Sequence, residues 1–336
     1  MESEKKILLD IKDLSVEFPF RNAAAKAVNG VSFKVHEGES VGVVGESGCG
    51  KTVSCYSILG LLPDGAKMTG GEILLHKKDG AIIDVAREKK DSENIRNIRG
   101  NDVSIIFQEP MVAVSPLYTM LKQIVEAIRV HNDVSVEEAE SQAVELFRLV
   151  GMPDPAKRIK DYPFQFSGGM IQRAMIAMAL SCKPRLLIAD EPTTALDVTI
   201  QAQVLMLIRK MQRELGISLI LVTHNLGVVA HMVDRIYVMY MGKIVEEGRV
   251  EDIFDHPQHP YTQGLLNSIP RIGGEKSKLV PIPGTVPNGF ELPAGCAFHP
   301  RCDRCIKGVC DAVAPDMIEV GTEHRVRCAL YGKEGE

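Results

Sequence analysis

Three features of the 336-residue sequence predict an α/β protein with a parallel sheet at its centre. The run Ser40-Val41-Gly42-Val43-Val44 is short and apolar with glycines beside it, as a strand buried on both faces is. Helix-compatible stretches then alternate with further apolar strands at residues 185–189, 218–222 and 235–239, the alternation that builds such sheets. Between the sheet elements, residues 117–182 carry helical periodicity at 119–129, 135–150 and 170–182, which reads as a helical insertion.

Taken in order, residues 7–38 alternate apolar and polar positions, with turn signals at Asn29-Gly30 and Glu37-Gly38, so strands and hairpins are expected there. From about residue 250 the texture changes. Nine of the 18 prolines fall in the last quarter of the chain, where long regular elements are not expected. A boundary is placed near Glu251, giving segments 1–250 and 251–336.

Composition narrows the function classes. Hydrophobic residues make up 45% and charged residues 25%, the usage of a folded globular chain. With 39 basic against 44 acidic side chains there is no global footprint for nucleic acid, and none is expected as a partner. No apolar run reaches the roughly 18 residues a membrane-spanning helix needs, so any work at a membrane requires other subunits. Residues 1–10 hold only Ile7-Leu8-Leu9 as an apolar stretch, and export is not expected. Eight cysteines without an export signal then point to reduced thiols or metal ligands, and five of them cluster between Cys296 and Cys328.

Gly45-Glu46-Ser47-Gly48-Cys49-Gly50-Lys51-Thr52 follows the Ser40–Val44 strand and precedes a helix-compatible run. The pattern G-x-x-x-x-G-K-[ST] in that context is a phosphate cradle: glycines let backbone N–H groups face the oxygens, Lys51 adds a point charge and Thr52 a hydroxyl for Mg²⁺. Residues 185–191 form an apolar strand that ends in two carboxylates. Asp190 is placed to approach Mg²⁺, and Glu191 to orient and polarise an attacking water. By itself the pair also reads as an acidic turn before Pro192, and only the glycine loop raises it above that.

Here the sequence resembles the ABC ATPases. The run Tyr162-Pro163-Phe164-Gln165-Phe166-Ser167-Gly168-Gly169-Met170, continuing to Gln172-Arg173, resembles their signature loop, and Asp190-Glu191-Pro192-Thr193-Thr194-Ala195-Leu196-Asp197 their Walker B and D-loop. Gln108 looks like the Q-loop glutamine, a further Mg²⁺ contact, and His224 like the switch histidine. The resemblance covers residues 7–250. It implies a RecA-like parallel-sheet core with an antiparallel β subdomain and a helical subdomain, two copies closing head to tail, and Ser167, Gly168 and Gly169 of one completing the ATP site of the other. The adenine-stacking aromatic falls on Phe18, with Phe20 as its competitor. Phe166 stands where the signature usually has leucine, which bears on loop packing, and Met170 where many members have glutamine. Cys49 inside the loop reads as an inert filler or as an oxidisable thiol.

His259-Pro260-Tyr261-Thr262, residues 265–270 and Gly295-Cys296-Ala297-Phe298-His299-Pro300-Arg301-Cys302 resemble the C-terminal extension of dipeptide and oligopeptide permease ATPases. That likeness implies a peripheral subunit at the cytoplasmic face of the membrane that powers peptide import. Its partners would be an identical or paralogous ATPase, two transmembrane permease subunits and, indirectly, an extracytoplasmic peptide-binding protein. Nickel or another small solute is the alternative cargo, and a soluble ABC ATPase outside transport the more distant alternative. The likeness also implies a [4Fe–4S] cluster on Cys296, Cys302, Cys310 and Cys328. An additional Cys305 departs from the pattern, and the close Cys302/Cys305 pair leaves Zn²⁺ open, as it does free thiols. His299 and His324 are further potential ligands.

Overall fold

The computed structural model describes residues 6–21, 23–194, 196–268, 281–287 and 289–332. Residues 1–5 of the amino-terminal stretch, Ala195 of the Walker B region, and Ile269 and Pro270 of the tail motif lie outside the described residues. The described strands, in chain order, are β1 (Ile7–Phe20), β2 (Ala23–His36), β3 (Ser40–Val44), β4 (Lys67–His76), β5 (Ile82–Asp84), β6 (Val103–Ile106), β7 (Leu186–Asp190), β8 (Ser218–Thr223), β9 (Arg235–Tyr240), β10 (Lys243–Arg249), β11 (Ile318–Gly321) and β12 (His324–Val326). The chain divides into two compact units.

One unit holds Lys6, residues 36–39 and the described residues of 88–221. Within it β8 borders β7 and β7 borders β6, with β6 parallel to β7 through Val103↔Leu186 and Ile106↔Ala189. All five residues of β7 are buried, which is why its sequence is apolar without alternation. The helical insertion appears as Met120–His131, Val136–Leu149 and Gly168–Ala179. Thr119, Ser135 and Ser167 cap these helices, each side chain accepting an N–H from the first turn. Their apolar stripes bury Ile124, Ile128, Ala143, Phe147 and Ala174.

The other unit holds the described residues of 7–35, 40–87 and 222–332. Its antiparallel sheet runs β2-β1-β4-β5, with Leu9↔Leu75 and Ile11↔Ile73 in register and all four buried. Asn29-Gly30 is not a turn but lies inside β2. Gly30 adopts φ +70 within the strand and its N–H donates to Ser15 Oγ at 3.0 Å, so the left-handed residue deforms a long strand rather than reversing it.

A second run of strands in this unit has the order β11-β12-β10-β9-β3. β3 is parallel to β9 (Val41↔Arg235, Val44↔Val238), and β9 turns through Met241-Gly242 into antiparallel β10. The tail is more regular than its prolines led us to expect. β12 pairs with β10 at Glu246↔Val326, and β11 with β12. Pro260 opens the helix Pro260–Asn267 at a position whose N–H has no helical partner anyway. A single apolar cluster joins Val44, Ile236, Val238 and Tyr240 from the strands with Ile253, Tyr261, Leu265, Leu266 and Phe298 from the tail.

Candidate active site

β3 ends at Val44, and the chain folds through Gly45 to Thr52 into the helix Lys51–Ile58. Glycine is required at two points by close approach. A Cβ on Gly45 would stand 2.2 Å from the Met239 carbonyl oxygen, and one on Gly50, which has φ +101, 2.2 Å from that of Ala27. Lys51 is buried, and its ammonium donates to the carbonyls of Gly45 (2.8 Å) and Glu46 (3.0 Å), fixing the charge across the loop. Ser47 and Gly48 are exposed at the tip. Cys49 is buried, and desolvation raises its thiol above the ordinary range despite the nearby Lys51; this favours filler over oxidisable thiol. Thr52 is half-buried in the first turn of the helix. On β1, Phe18 is half-buried, whereas Phe20 is exposed and meets Phe290 edge-on at 4.8 Å.

In the other unit β7 carries fully buried Asp190 at its end. Glu191 follows with φ +44, a left-handed backbone that costs a side-chain-bearing residue about 1 to 3 kcal/mol and is retained where the surroundings impose it. Its Oε2 accepts from Gln108 Nε2 at 3.2 Å and from Thr194 Oγ1 at 3.0 Å. Gln108 and Glu191, 83 residues apart in sequence, are thus brought together. Thr194 is a partner that sequence reasoning missed; its signal was a hydroxyl three residues beyond the carboxylate.

Ser167 caps the helix Gly168–Ala179, its Oγ accepting from Met170 N at 3.4 Å, so free N–H groups and the helix dipole face outward at exposed Ser167 and Gly168. Behind half-buried Gly169 an added Cβ would come within 3.0 Å of Ile200. Phe166 turns inward, its ring edge-on to Phe147 with centroids 6.4 Å apart, so the aromatic is absorbed by the helical region. His224 is exposed just beyond β8, where Asn225 caps the next short helix by accepting from Gly227 N at 3.0 Å.

The tail gathers four thiols. Cys296, Cys302, Cys310 and Cys328 line one cavity, together with His259, Phe298 and His299. Burial, and the mutual influence of Cys296, Cys302 and Cys310, push the Cys328 thiol up to about 11. Cys305 is not among the lining residues. His324 is committed elsewhere, its Nε2 lying 2.8 Å from Oε1 of the fully buried Glu246. Among the described residues no three His, Cys, Asp or Glu are grouped so that they could hold a metal ion. Thiols are the donor type that both Zn²⁺ and an iron–sulfur cluster take, and the shared cavity distinguishes neither.

Comparisons with known proteins bear on the family of the chain. A family profile described as "ABC transporter" matches residues 28–194, and one described as "Oligopeptide/dipeptide transporter, C-terminal region" matches residues 245–310. The fold is similar to the dimeric structure of an ATP-binding cassette in a post-hydrolysis state bound to ADP and Pi, with a TM-score of 0.63 and 26% identity over 72% of this chain and 98% of that one. The class is therefore that of the ABC transporter ATP-binding subunits.

Among curated proteins, the chain is 48% identical to the dipeptide transport ATP-binding protein DppD of Bacillus subtilis (strain 168), covering 98% of this chain and 96% of the relative. It is 45% identical to the dipeptide transport ATP-binding protein DppD of Haemophilus influenzae, covering 96% and 94%. The chain belongs to the dipeptide/oligopeptide permease family of ATP-binding subunits.

Proposed function

We propose that this chain hydrolyses ATP to power the import of di- and oligopeptides through separate membrane-spanning subunits. The observation that carries the reading is the strained Glu191, its carboxylate held by Gln108 and Thr194 at the end of the buried β7 strand. In this reading Gly45 to Thr52 cradles the phosphates, with Lys51 supplying charge, and Phe18 stacks on adenine. Thr52, Gln108 and Asp190 hold Mg²⁺, which neutralises phosphate charge when bound. Glu191 polarises the attacking water and His224 contacts the transferred phosphate. Ser167, Gly168 and Gly169 serve the site of an identical or paralogous subunit in a head-to-tail dimer.

Exposed Met111, Val112, Leu117 and Tyr118, just beyond Gln108, support docking of membrane partners, since apolar side chains concentrated on one surface stretch mark interaction sites. Among the described residues no helix is long and apolar enough to cross a membrane, so partner subunits supply the pathway from the cytoplasmic face and a peptide-binding protein delivers cargo outside. The test is phosphate release and peptide uptake by the complete complex in vesicles. Glu191→Gln is expected to lower hydrolysis by on the order of a hundredfold or more while MgATP still binds. Equal rates would contradict the role given to Glu191.

The tail is proposed to carry a [4Fe–4S] cluster on Cys296, Cys302, Cys310 and Cys328. Their shared cavity and the position of Cys305 outside its lining support this ligand set over one that uses Cys305. Anaerobic purification followed by iron and sulfide analysis decides it. Cys328→Ser is expected to release most of the iron, and fresh protein free of iron and sulfide would overturn the assignment.

A further inference from the structure

Glu46 is out of place in a loop that binds anions. A carboxylate beside a triphosphate repels it, and no step of phosphate binding uses a negative charge there. The tail of the same unit supplies the reason. Arg301 of the tail places Nη1 2.7 Å from Glu46 Oε2 and Nη2 3.1 Å from Glu46 Oε1, the two-pronged pairing that fixes geometry as well as charge. The guanidinium is buried, with 4% of the side chain exposed, and two further donors are engaged. Nε donates to the Pro283 carbonyl at 2.9 Å and Nη1 also reaches the Tyr240 hydroxyl at 3.4 Å. Its charge lies beside the rings of both Tyr240 and Phe298, with centroids 5.8 and 5.9 Å away. A second tail residue grips the same position: the backbone N–H of Glu46 donates to the hydroxyl of fully buried Tyr261 at 2.8 Å. The carbonyl of Glu46 in turn accepts from Lys51. Every polar group of Glu46 is thereby fixed, two of them by residues more than 200 positions away.

We infer that Arg301 and Tyr261 are positioning residues for the phosphate loop: the tail neutralises Glu46 and holds the Gly45 to Thr52 loop, and through it Lys51, in the shape that receives ATP. The inference rests on the reading of that loop as an ATP site and extends it to a part of the chain that no nucleotide motif reaches. It also gives the tail a role in the ATPase reaction independent of any metal. Arg301 closes the turn His299–Arg301 between Cys296 and Cys302, where His299 N donates to the Cys296 carbonyl and Cys302 N to that of His299, so the arginine is aimed by the same turn that sets two of the thiols.

The test uses the full chain and a fluorescent ATP analogue with Mg²⁺, with unfolding temperature recorded for each variant. Parent protein that fails to bind the analogue would overturn the ATP-site reading itself. Given binding by the parent, Arg301→Gln leaves an uncompensated carboxylate in the loop and is expected to weaken affinity by about tenfold or more, as truncating one partner of a buried charge pair does. The double variant Arg301→Gln with Glu46→Gln removes the stranded charge and is expected to recover affinity to within about threefold of the parent, a rescue that a merely structural arginine does not give. Tyr261→Phe, which deletes only the hydroxyl, is expected to raise KM for ATP severalfold in the assembled complex with kcat nearly unchanged. If Arg301→Gln binds within twofold of the parent, or if the double variant binds no better than the single one, the positioning role is overturned. Should Arg301→Gln fail to fold, a double variant that binds more than about threefold more weakly than the parent, or a Tyr261→Phe variant with unchanged KM for ATP, overturns the role instead.

Discussion

The phosphate loop leaves no room for one extra carbon atom at Gly50. Alanine there would need φ +101 and would drive its Cβ to 2.2 Å from the Ala27 carbonyl oxygen. Left-handed backbone and overpacking together place the cost of Gly50→Ala at about 2 kcal/mol or more, with loss of ATP binding. Gly48 is the internal control. Its φ is +80, yet nothing lies within 4 Å of an added Cβ, so Gly48→Ala is expected to cost only about 1 to 2 kcal/mol, from backbone strain alone. Denaturant titration of both variants checks the ordering, and equal destabilisation would refute the steric argument. Thiol chemistry at the same scale gives a second expectation. Buried Cys49, its thiol raised by desolvation, should react with an alkylating reagent in the native state far more slowly than half-exposed Cys305, read by peptide mass spectrometry. The Gly-x-x-x-x-Gly-Lys-Thr spacing made the glycines legible in sequence, because their chemistry is local. The pairing of Glu46 with Arg301 across 255 residues was not, since nothing local distinguishes a carboxylate that will be neutralised from one facing solvent.

At the scale of elements, legibility followed burial. The Ser40–Val44 strand matches its sequence expectation, and the strands at 186–190, 218–223 and 235–240 lie within one or two residues of theirs, because continuous apolar runs bounded by turns have few other solutions. Asn29-Gly30 misled for a specific reason: the pair favours hairpin turns through positive φ, and Gly30 does take positive φ, but inside β2. Strands β11 and β12 were hidden by the proline content around them, as three- and four-residue strands leave almost no periodic signal. The signature region offers a test at this scale. Phe166→Leu restores the residue more usual in the family but loses the edge-on contact with Phe147, so a destabilisation of about 0.5 to 1.5 kcal/mol is expected with ATP hydrolysis unchanged. A large fall in hydrolysis without a fall in stability would show that the ring acts on the loop itself.

For the whole molecule, the question is whether the ATPase portion stands without the tail. Composition changes near residue 251, but the core does not stop there: Tyr261, Leu265, Leu266 and Phe298 share one apolar cluster with Val44, Val238 and Tyr240. Fully burying a large apolar side chain stabilises by roughly 1.5 to 3 kcal/mol, so four of them amount to about 6 to 12 kcal/mol, on the scale of the entire stability of a typical domain. Polar terms act in the same direction. Glu246, fully buried on β10, accepts from the backbone N–H groups of Gln258 (2.7 Å) and His259 (2.9 Å) and lies 2.8 Å from His324 Nε2, and every one of these partners lies beyond residue 250. A chain ending at residue 250 would uncover that cluster, leave β10 without β12, and release Glu46 from both Arg301 and Tyr261. Such a fragment is expected to show no cooperative thermal transition, or one lowered by more than about 15 °C, since each kcal/mol lost moves the midpoint of a large domain by only 2 to 4 °C. Differential scanning calorimetry of the fragment beside the full chain measures this. A cooperative transition within a few degrees of the parent, with ATP binding retained, would mean that the tail is an appendage; its loss would show that the peptide-transport extension and the nucleotide loop are one folding unit.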